Sequence, residues 1–308
     1  MPMTLRRALA LGLAVLSATG CTDSTEPAPA VPRELYYVAY TGAPSYRTML
    51  YGAALDGSLP KPVIEDTIPG GWGVSGDVAP WISRDGSEIK VLVRKVGYRQ
   101  SIATVDPFGE LLSIVPTPDS APSWFQRPSL SPDGTVLAWI ADGYLQLANL
   151  DNSPVQKIPV DTLSGSTGDV AWSRDGKSVA FVTWHATQVD PDTPTDVRLW
   201  TRRLSDGFTR PVATLVGAAG APAWSRDGRW LTVTAGGSIH RLRVDGGGSE
   251  QVVYDGGMLG AQTSSWGPGD SLLAIATGTG VLLLRPDGTG ARTLVSGKSG
   301  LGFATWRD

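Results

Sequence analysis

One six-residue phrase recurs along the chain. Trp81-Ile82-Ser83-Arg84-Asp85-Gly86, Ser129-Leu130-Ser131-Pro132-Asp133-Gly134, Ala171-Trp172-Ser173-Arg174-Asp175-Gly176 and Ala223-Trp224-Ser225-Arg226-Asp227-Gly228 are near copies. A fifth copy, Ser265-Trp266-Gly267-Pro268-Gly269-Asp270, is worn, and a sixth, Thr305-Trp306-Arg307-Asp308, ends with the chain. The apolar residue before the turn falls at Ile82, Leu130, Trp172, Trp224, Trp266 and Trp306, with spacings from 40 residues (266 to 306) to 52 (172 to 224). Self-similarity at this period means an array or a propeller, because one such unit cannot bury its apolar surface without a like neighbour.

The parts of the phrase have separate physical roles. Ser can hydrogen-bond locally, Pro presets its own φ, and Gly takes a left-handed conformation at little cost, so Ser-Pro-Asp-Gly suits a tight turn. Arg stands in the Pro position in three copies, which a type I turn tolerates. After each turn apolar residues recur with period two, as in Ile89, Val91, Val93 and again in Leu231, Val233, which is the pattern of a strand. Six further turns follow, at Asp56-Gly57, Asp106 to Gly109, Asp151-Asn152, Asp206-Gly207, Asp245-Gly246 and Asp287-Gly288, each leading into another apolar stretch. The expected unit is therefore a four-stranded antiparallel meander, repeated six times. The first unit, from Leu35, has no phrase before it, while the chain ends on a lone phrase. The last residues should supply the missing first strand and close a ring without a free sheet edge. The fold class read from the sequence is all-β: a six-bladed β-propeller of four-stranded antiparallel blades, its ring closed by the C-terminal strand joining the N-terminal blade.

The residues before this array have a different character. Arg6 and Arg7 precede an apolar run at 8–16, too short to span a bilayer, and small residues lead to Cys21. This layout is that of a secretory leader, and "LSATGC" resembles the lipobox of bacterial lipoproteins, with Ala18 where that motif favours Leu. The resemblance implies lipidation of Cys21 and removal of residues 1–20. Cys21 is the single cysteine of the 308-residue chain, so no intrachain disulfide can form. The stretch 22–32 contains three prolines and no apolar periodicity, which reads as a tether. The expected organisation is thus a signal peptide at 1–20, a lipidated Cys and tether at 21–33, and the propeller at 34–308.

The chain carries 26 basic and 29 acidic residues, and loss of Arg6 and Arg7 with the leader takes the net charge from −3 to −5. No basic run is present to attract nucleic acid or anionic lipid, so no nucleic-acid partner is expected and membrane contact falls to the lipid. With two histidines, His185 and His240, a three-His metal site is excluded. His240 alternates with Ile239 and Leu242 and reads as a strand residue. The stretch 71–76, "GWGVSG", matches G-x-G-x-x-G in letters but is followed by Pro80 and a strand rather than a helix, so it reads as an inter-blade loop. No catalytic set and no cofactor site emerges. The repeated Asp residues are turn formers, since a catalytic residue is needed once and these recur in each unit. Trp172, Trp224, Trp266 and Trp306 should pack between blades. The candidate binding feature is the long loop of the fourth unit, where His185, Asp190, Asp192 and Asp196 lie close in sequence. An EF-type calcium loop would need Gly at Thr195 and Glu at Thr201, so the loop is not of that kind.

The phrase P-x-W-S-x-D-G followed by alternating apolar residues resembles the WD-like propeller repeat of the TolB family, over residues 35–308. The family's additional α/β domain has no counterpart here, so the resemblance is to the TolB propeller. It implies a six-bladed, non-catalytic module that docks with another envelope protein or macromolecule; with the leader, the chain is expected to be exported, monomeric and lipid-anchored, in the outer membrane facing the periplasm. The alternative is a carbohydrate- or small-ligand-binding, even hydrolytic, propeller working through its central funnel, since sugar rings stack on aromatics and paired carboxylates hydrolyse glycosides.

Overall fold

The computed structural model describes residues 34–40, 48–56, 58, 60–65, 67–76, 79–118, 121, 127–151, 153–160, 169–186, 194–248, 250–257, 260–297 and 303–307, with backbone alone at 184–186 and 194–196. In it the four intact phrases close alike. The Gly N–H donates to the Ser carbonyl three residues back at 2.8 to 3.1 Å. The Gly residues take φ of 69° to 71°, a region that a side chain disfavours. The Ser hydroxyl donates to the Asp carboxylate, at 2.7 Å in Ser83, Ser173 and Ser225. The same hydroxyl accepts the N–H of the residue five further on, at 2.8 to 2.9 Å. The phrase is a self-contained hydrogen-bonded turn, which explains why it recurs unit by unit. The worn copy keeps the closing bond, from the Asp270 N–H to the Gly267 carbonyl at 3.2 Å, with Asp270 at positive φ, within a short 3-10 helix, Pro268–Asp270.

Each turn joins the innermost strand of a sheet to the next. Blade three consists of Ser129–Leu130, Val136–Ala141, Tyr144–Asn149 and Gln156–Pro159, in sequence order and antiparallel. Blades four, five and six repeat this order, with inner strands Val170–Trp172, Ala219–Trp224 and Ala261–Trp266. Blade one is built from Leu35–Tyr40, Thr48–Ala53 and Lys61–Ile64, with Ala304–Trp306 added at its inner edge. The register pairs Leu35 with Trp306, Tyr36 with Thr305 and Tyr37 with Ala304. Two flanking bonds extend the seal: Val38 N–H to the Phe303 carbonyl at 3.0 Å and Arg307 N–H to the Glu34 carbonyl at 2.8 Å. The ring is closed as the sequence implied. The described residues all fall within one unit, Pro32–Asp308.

The core is divided among the seams between blades. Six apolar clusters are buried, and each joins residues of two neighbouring blades. The period of two decides which neighbour a residue meets. Leu35, Tyr37 and Ala39 face blade six, whereas Tyr36 and Val38 face blade two. Ala138 and Ile140 face blade four, whereas Leu137 and Trp139 face blade two. Both faces of a second strand are therefore buried, and the small residues between the large ones (Ala138, Ala180, Ala274) meet the other seam rather than solvent.

Blade two departs from the expectation. The stretch 71–76, expected as an inter-blade loop, contains a strand, Trp72–Val74, which pairs through Gly73 and Val74 with Arg94 and Val93. Gly70 and Gly71, both at positive φ, turn it back on Thr67–Ile68, and the Gly71 N–H donates to the Ile68 carbonyl at 3.2 Å. Trp72 is the physical reason. Its ring packs against Tyr98, with centroids 5.6 Å apart, and under the Lys95 ammonium at 5.9 Å, so the segment gains an anchor at the edge of Ile89–Arg94. Trp81–Ile82 pairs lower on the same strand.

The turns also set an acid limit. Hydrogen bonds from the Ser87 N–H and from the Ser83 and Ser87 hydroxyls hold the Asp85 carboxyl down at about 2. Asp133 and Asp175 are lowered as well, first by the hydroxyls of Ser131 and Ser173. Folding depresses these groups, so the unfolded chain takes up protons first on acidification. Their contribution is fully present above the unfolded value of about 3.9 and is lost as pH falls towards 2. The denaturant midpoint is expected to stay level from pH 7 to about 5 and to fall steeply below about 4; a midpoint unchanged from pH 5 to pH 3 contradicts the turn account.

Candidate functional site: the central channel

The six inner strands enclose a cavity of about 860 Å³. Its wall is the phrase itself, taken once from each blade. The apolar positions form a middle tier, in which the indole N–H of each Trp bonds across the seam. Trp172 donates to the Ser129 carbonyl, Trp224 to Ala171, Trp266 to Ala223 and Trp306 to Ser265, all at 3.1 to 3.2 Å. Trp266 and Trp306 are buried and Trp172 and Trp224 half-buried. These residues are inter-blade ties, as their recurrence implied.

Three residues before each middle-tier residue lies a second tier: Ala79, Arg127, Asp169, Ala221, Thr263 and Phe303. Here the repeat varies freely, and the variation carries charge. The Arg127 guanidinium donates to Asp169 Oδ2 at 2.7 Å, with Asp169 only 12% exposed, and lies 5.5 Å from the Phe303 ring centroid. The same carboxylate oxygen accepts the Ala221 N–H. Asp169 thus ties blade four to blades three and five. Arg127 and Ala221 have φ of 44° and 49°, left-handed values that cost a non-Gly residue energy. A Cβ at Gly220 would collide with this carboxylate, so the close approach requires glycine there.

The third tier lies at the turns, where Arg84, Arg174 and Arg226 line the same cavity. Burial, and then the neighbouring Arg174, bring the Arg226 guanidinium down to about 10, with Asp270 acting the other way. Arg174 is lowered by burial and by Arg84. Asp270 has left the turn role of its counterparts. Its carboxylate accepts the backbone N–H groups of Arg226 at 2.7 Å and Asp227 at 2.9 Å, binding blade six to the turn of blade five. Of the carboxylates lining the cavity, Asp133 and Asp175 are held within their own turns and Asp169 by Arg127 and Ala221.

The residues singled out from the sequence lie elsewhere. His185 is in the second strand of blade four, Ser178–Ala186, its backbone opposite Thr195, and Asp196 is in the third, Pro194–Arg203. Asp190, Asp192 and Cys21 lie outside the described residues. The two strands continue past the level of Asp169, whose carbonyl accepts the Val182 N–H at 3.1 Å, so the hairpin projects beyond the Asp169 end of the channel. His240 sits on the third strand of blade five, with Nδ1 against the Glu250 carboxylate and Nε2 3.2 Å from the Ala235 carbonyl. Among the described residues no cluster of three His, Cys, Asp or Glu side chains is placed to hold a metal ion. The charged channel residues went unassigned in the sequence reading, although Arg84, Arg174, Arg226 and Asp270 stand inside the phrases and Arg127 and Asp169 two residues before them. The signal at Arg127 and Asp169 was a position that varies from unit to unit beside a repeating phrase.

The fold is that of the TolB propeller. TolB from Acinetobacter baumannii superposes with a TM-score of 0.63 at 19% identity, covering 90% of this chain and 67% of that one. A putative TolB from Agrobacterium tumefaciens gives 0.58 at 18%, covering 87% and 91%. A putative 6-phosphogluconolactonase from Bacteroides uniformis gives 0.57 at 12%, covering 89% and 99%. No protein family and no curated protein matches the sequence. At these identities the likeness is one of fold, and the fold hosts more than one function. Among the described residues no helix is long and apolar enough to cross a membrane.

Proposed function

We propose that this chain is a non-catalytic envelope protein, anchored through a lipid on Cys21, whose propeller docks another envelope protein or macromolecule over its central channel. The observation that carries the reading is the second tier. An ion pair and two strained backbones are held across three blades at the channel's edge, and backbone strain of this kind persists where a surrounding structure fixes a functional surface. The leader sequence supports the anchor, and the TolB likeness is consistent with a docking role. The hairpin bearing His185 and Asp196 projects from the same end and would extend the docking face. The channel does not favour the carbohydrate alternative, because its Trp indoles are tied into the seams and its carboxylates into turns or the Arg127 pair.

Photo-crosslinking in living cells tests this. A crosslinker at Ala79 or Phe303, second-tier residues that are exposed and half-buried, should capture one stoichiometric partner, and one at the exposed outer-strand residue Leu112 should not. Cys21→Ser should move the protein from the membrane to the soluble fraction and weaken the capture. Absence of adducts from the channel positions, or adducts from Leu112 alone, contradicts the reading.

A further inference from the structure

The two ends of the ring are built differently. In blade two Ile89, the first strand residue after the phrase, pairs with Val105, and in blade four Ser178 pairs with Arg203. The second turn of each blade therefore stands beside the phrase turn at one end of the ring, while the second tier stands at the other. The six second turns close alike. The N–H two residues after the Asp donates to its carboxylate in Ser58, Phe108, Ser153, Phe208, Gly247 and Thr289, at 2.8 to 3.1 Å. Ser, Gly and Thr meet this backbone role, so the turn does not explain the two Phe residues. Phe108 is nevertheless 76% exposed and Phe208 54% exposed. The chain also enters at this end. The Glu34 carbonyl accepts the Arg307 N–H at 2.8 Å, the Glu34 carboxylate accepts the Leu55 N–H at 3.1 Å, and the Arg307 guanidinium donates to the Asp85 carbonyl in the phrase turn of blade two at 3.4 Å.

We propose that the turn end of the ring lies against the lipid bilayer that holds the chain's own anchor, with Phe108 and Phe208 entering the bilayer interface. The inference rests on the lipid proposed for Cys21. Residues 21–33 then join the lipid to Glu34 at the turn end. A flexible chain of that length spans about 20 Å on average. A six-residue strand is itself about 20 Å long, so a tether that presented the opposite end would spend its usual reach on the height of the ring alone. The placing of the two Phe residues also fits a bilayer better than a protein. They stand on separate blades, two and four, with blade three between them, and the tether enters at blade one. Separate tips make no contiguous patch for a protein partner, whereas a flat bilayer meets them together and takes up apolar side chains at its interface. Large exposed apolar residues at the opposite end, Val96, Tyr98 and Val216, then point away from the bilayer with the second tier, where an envelope partner can reach them.

The test is fluorescence quenching of the full-length lipidated chain in vesicles of phosphatidylethanolamine and phosphatidylglycerol that carry a nitroxide-labelled lipid as quencher. A thiol-reactive dye is placed at the turn end through Ser58→Cys or Ser153→Cys, in the second turns of blades one and three, and at the opposite end through Val96→Cys or Val216→Cys. Both turn-end dyes should be quenched severalfold more strongly than both opposite-end dyes. Adding Phe108→Ser and Phe208→Ser gives these turns the residue that blades one and three have there. The double variant should keep the native melting temperature and lower the turn-end quenching severalfold. Equal quenching at the two ends, stronger quenching at Val96 and Val216, no quenching at any position, or turn-end quenching unchanged in the double variant overturns the proposal. Mass spectrometry of the Cys21 peptide separates this failure from that of the functional reading. A lipid on Cys21 with unquenched turn-end dyes sinks the bilayer contact alone. A bare Cys21 removes the anchor and the bilayer contact together and leaves the crosslinking test of docking in force. Turn-end quenching without any crosslinked partner keeps the bilayer contact and removes the docking role.

Discussion

Trp306→Ala is expected to destabilise the protein by about 3–5 kcal/mol, the range for truncating a buried aromatic side chain. Trp306 is 5% exposed, packs in the seam between blades six and one, and bonds through its indole N–H to the Ser265 carbonyl. It also lies against Gly267, where a Cβ would approach its ring to 3.2 Å, so that side of the ring has no side chain to fill the space it leaves. Ending the chain at Leu301 should do more than the point variant. It removes the inner strand of blade one, exposes the edge of Leu35–Tyr40 and opens the seam between blades six and one. The truncated chain should fail to give a cooperative unfolding transition, whereas removal of residues 1–20 should leave the transition unchanged. Urea denaturation of the three chains measures both effects, and a loss below about 1 kcal/mol for Trp306→Ala would contradict the packing account.

The second large effect is expected in the second tier of the channel. Asp169→Ala leaves the Arg127 guanidinium without its carboxylate and the Ala221 N–H without an acceptor. Breaking a fully buried pair costs about 3–5 kcal/mol. Arg127 is 36% exposed, and solvent screening brings the expected loss to about 2–3 kcal/mol. The companion variant Ala221→Gly should be neutral or stabilising, because glycine takes a φ of 49° without strain. If Asp169→Ala unfolds at the native urea concentration, the tie across the channel is not structural.

These two sites show what the sequence could and could not convey. The repeating letters of the phrase describe local physics. A Ser that bonds its own turn, a Gly at positive φ and an apolar residue alternating between two seams act in the same way in each intact phrase, so five copies and a lone terminal phrase were enough to imply a closed six-bladed ring. The channel residues have no such local cause. Arg174 and Pro132 serve the turn equally, and it is the ring that brings Arg84, Arg174 and Arg226 to one channel wall. The partnership of Arg127 with Asp169 spans 42 residues and depends on the curvature of the ring. Asp270, one place later than the Asp of an intact phrase, read as wear and is instead a bond between blades. The strand at Trp72–Val74 was hidden by glycines that suggest a loop; its anchor, Tyr98, lies beyond the strand it joins. The loop that drew attention for its acids, at 187–193, lies outside the described residues, while the charge in the channel stood in or just before phrases already assigned to structure.

Hydrogen exchange of the native chain, followed by mass spectrometry of its C-terminal peptide, tests ring closure most directly. Ala304–Trp306 pairs antiparallel with Leu35–Tyr37 as an inner-edge strand, so its bonded amides alternate and are those of Thr305 and Arg307. They should exchange as slowly as those of the interior strands Trp230–Ala235 and Leu273–Thr277, opening only with global unfolding. Exchange of Thr305 and Arg307 at the rate of a free tail, with the interior strands still protected, would contradict a ring closed by its last strand.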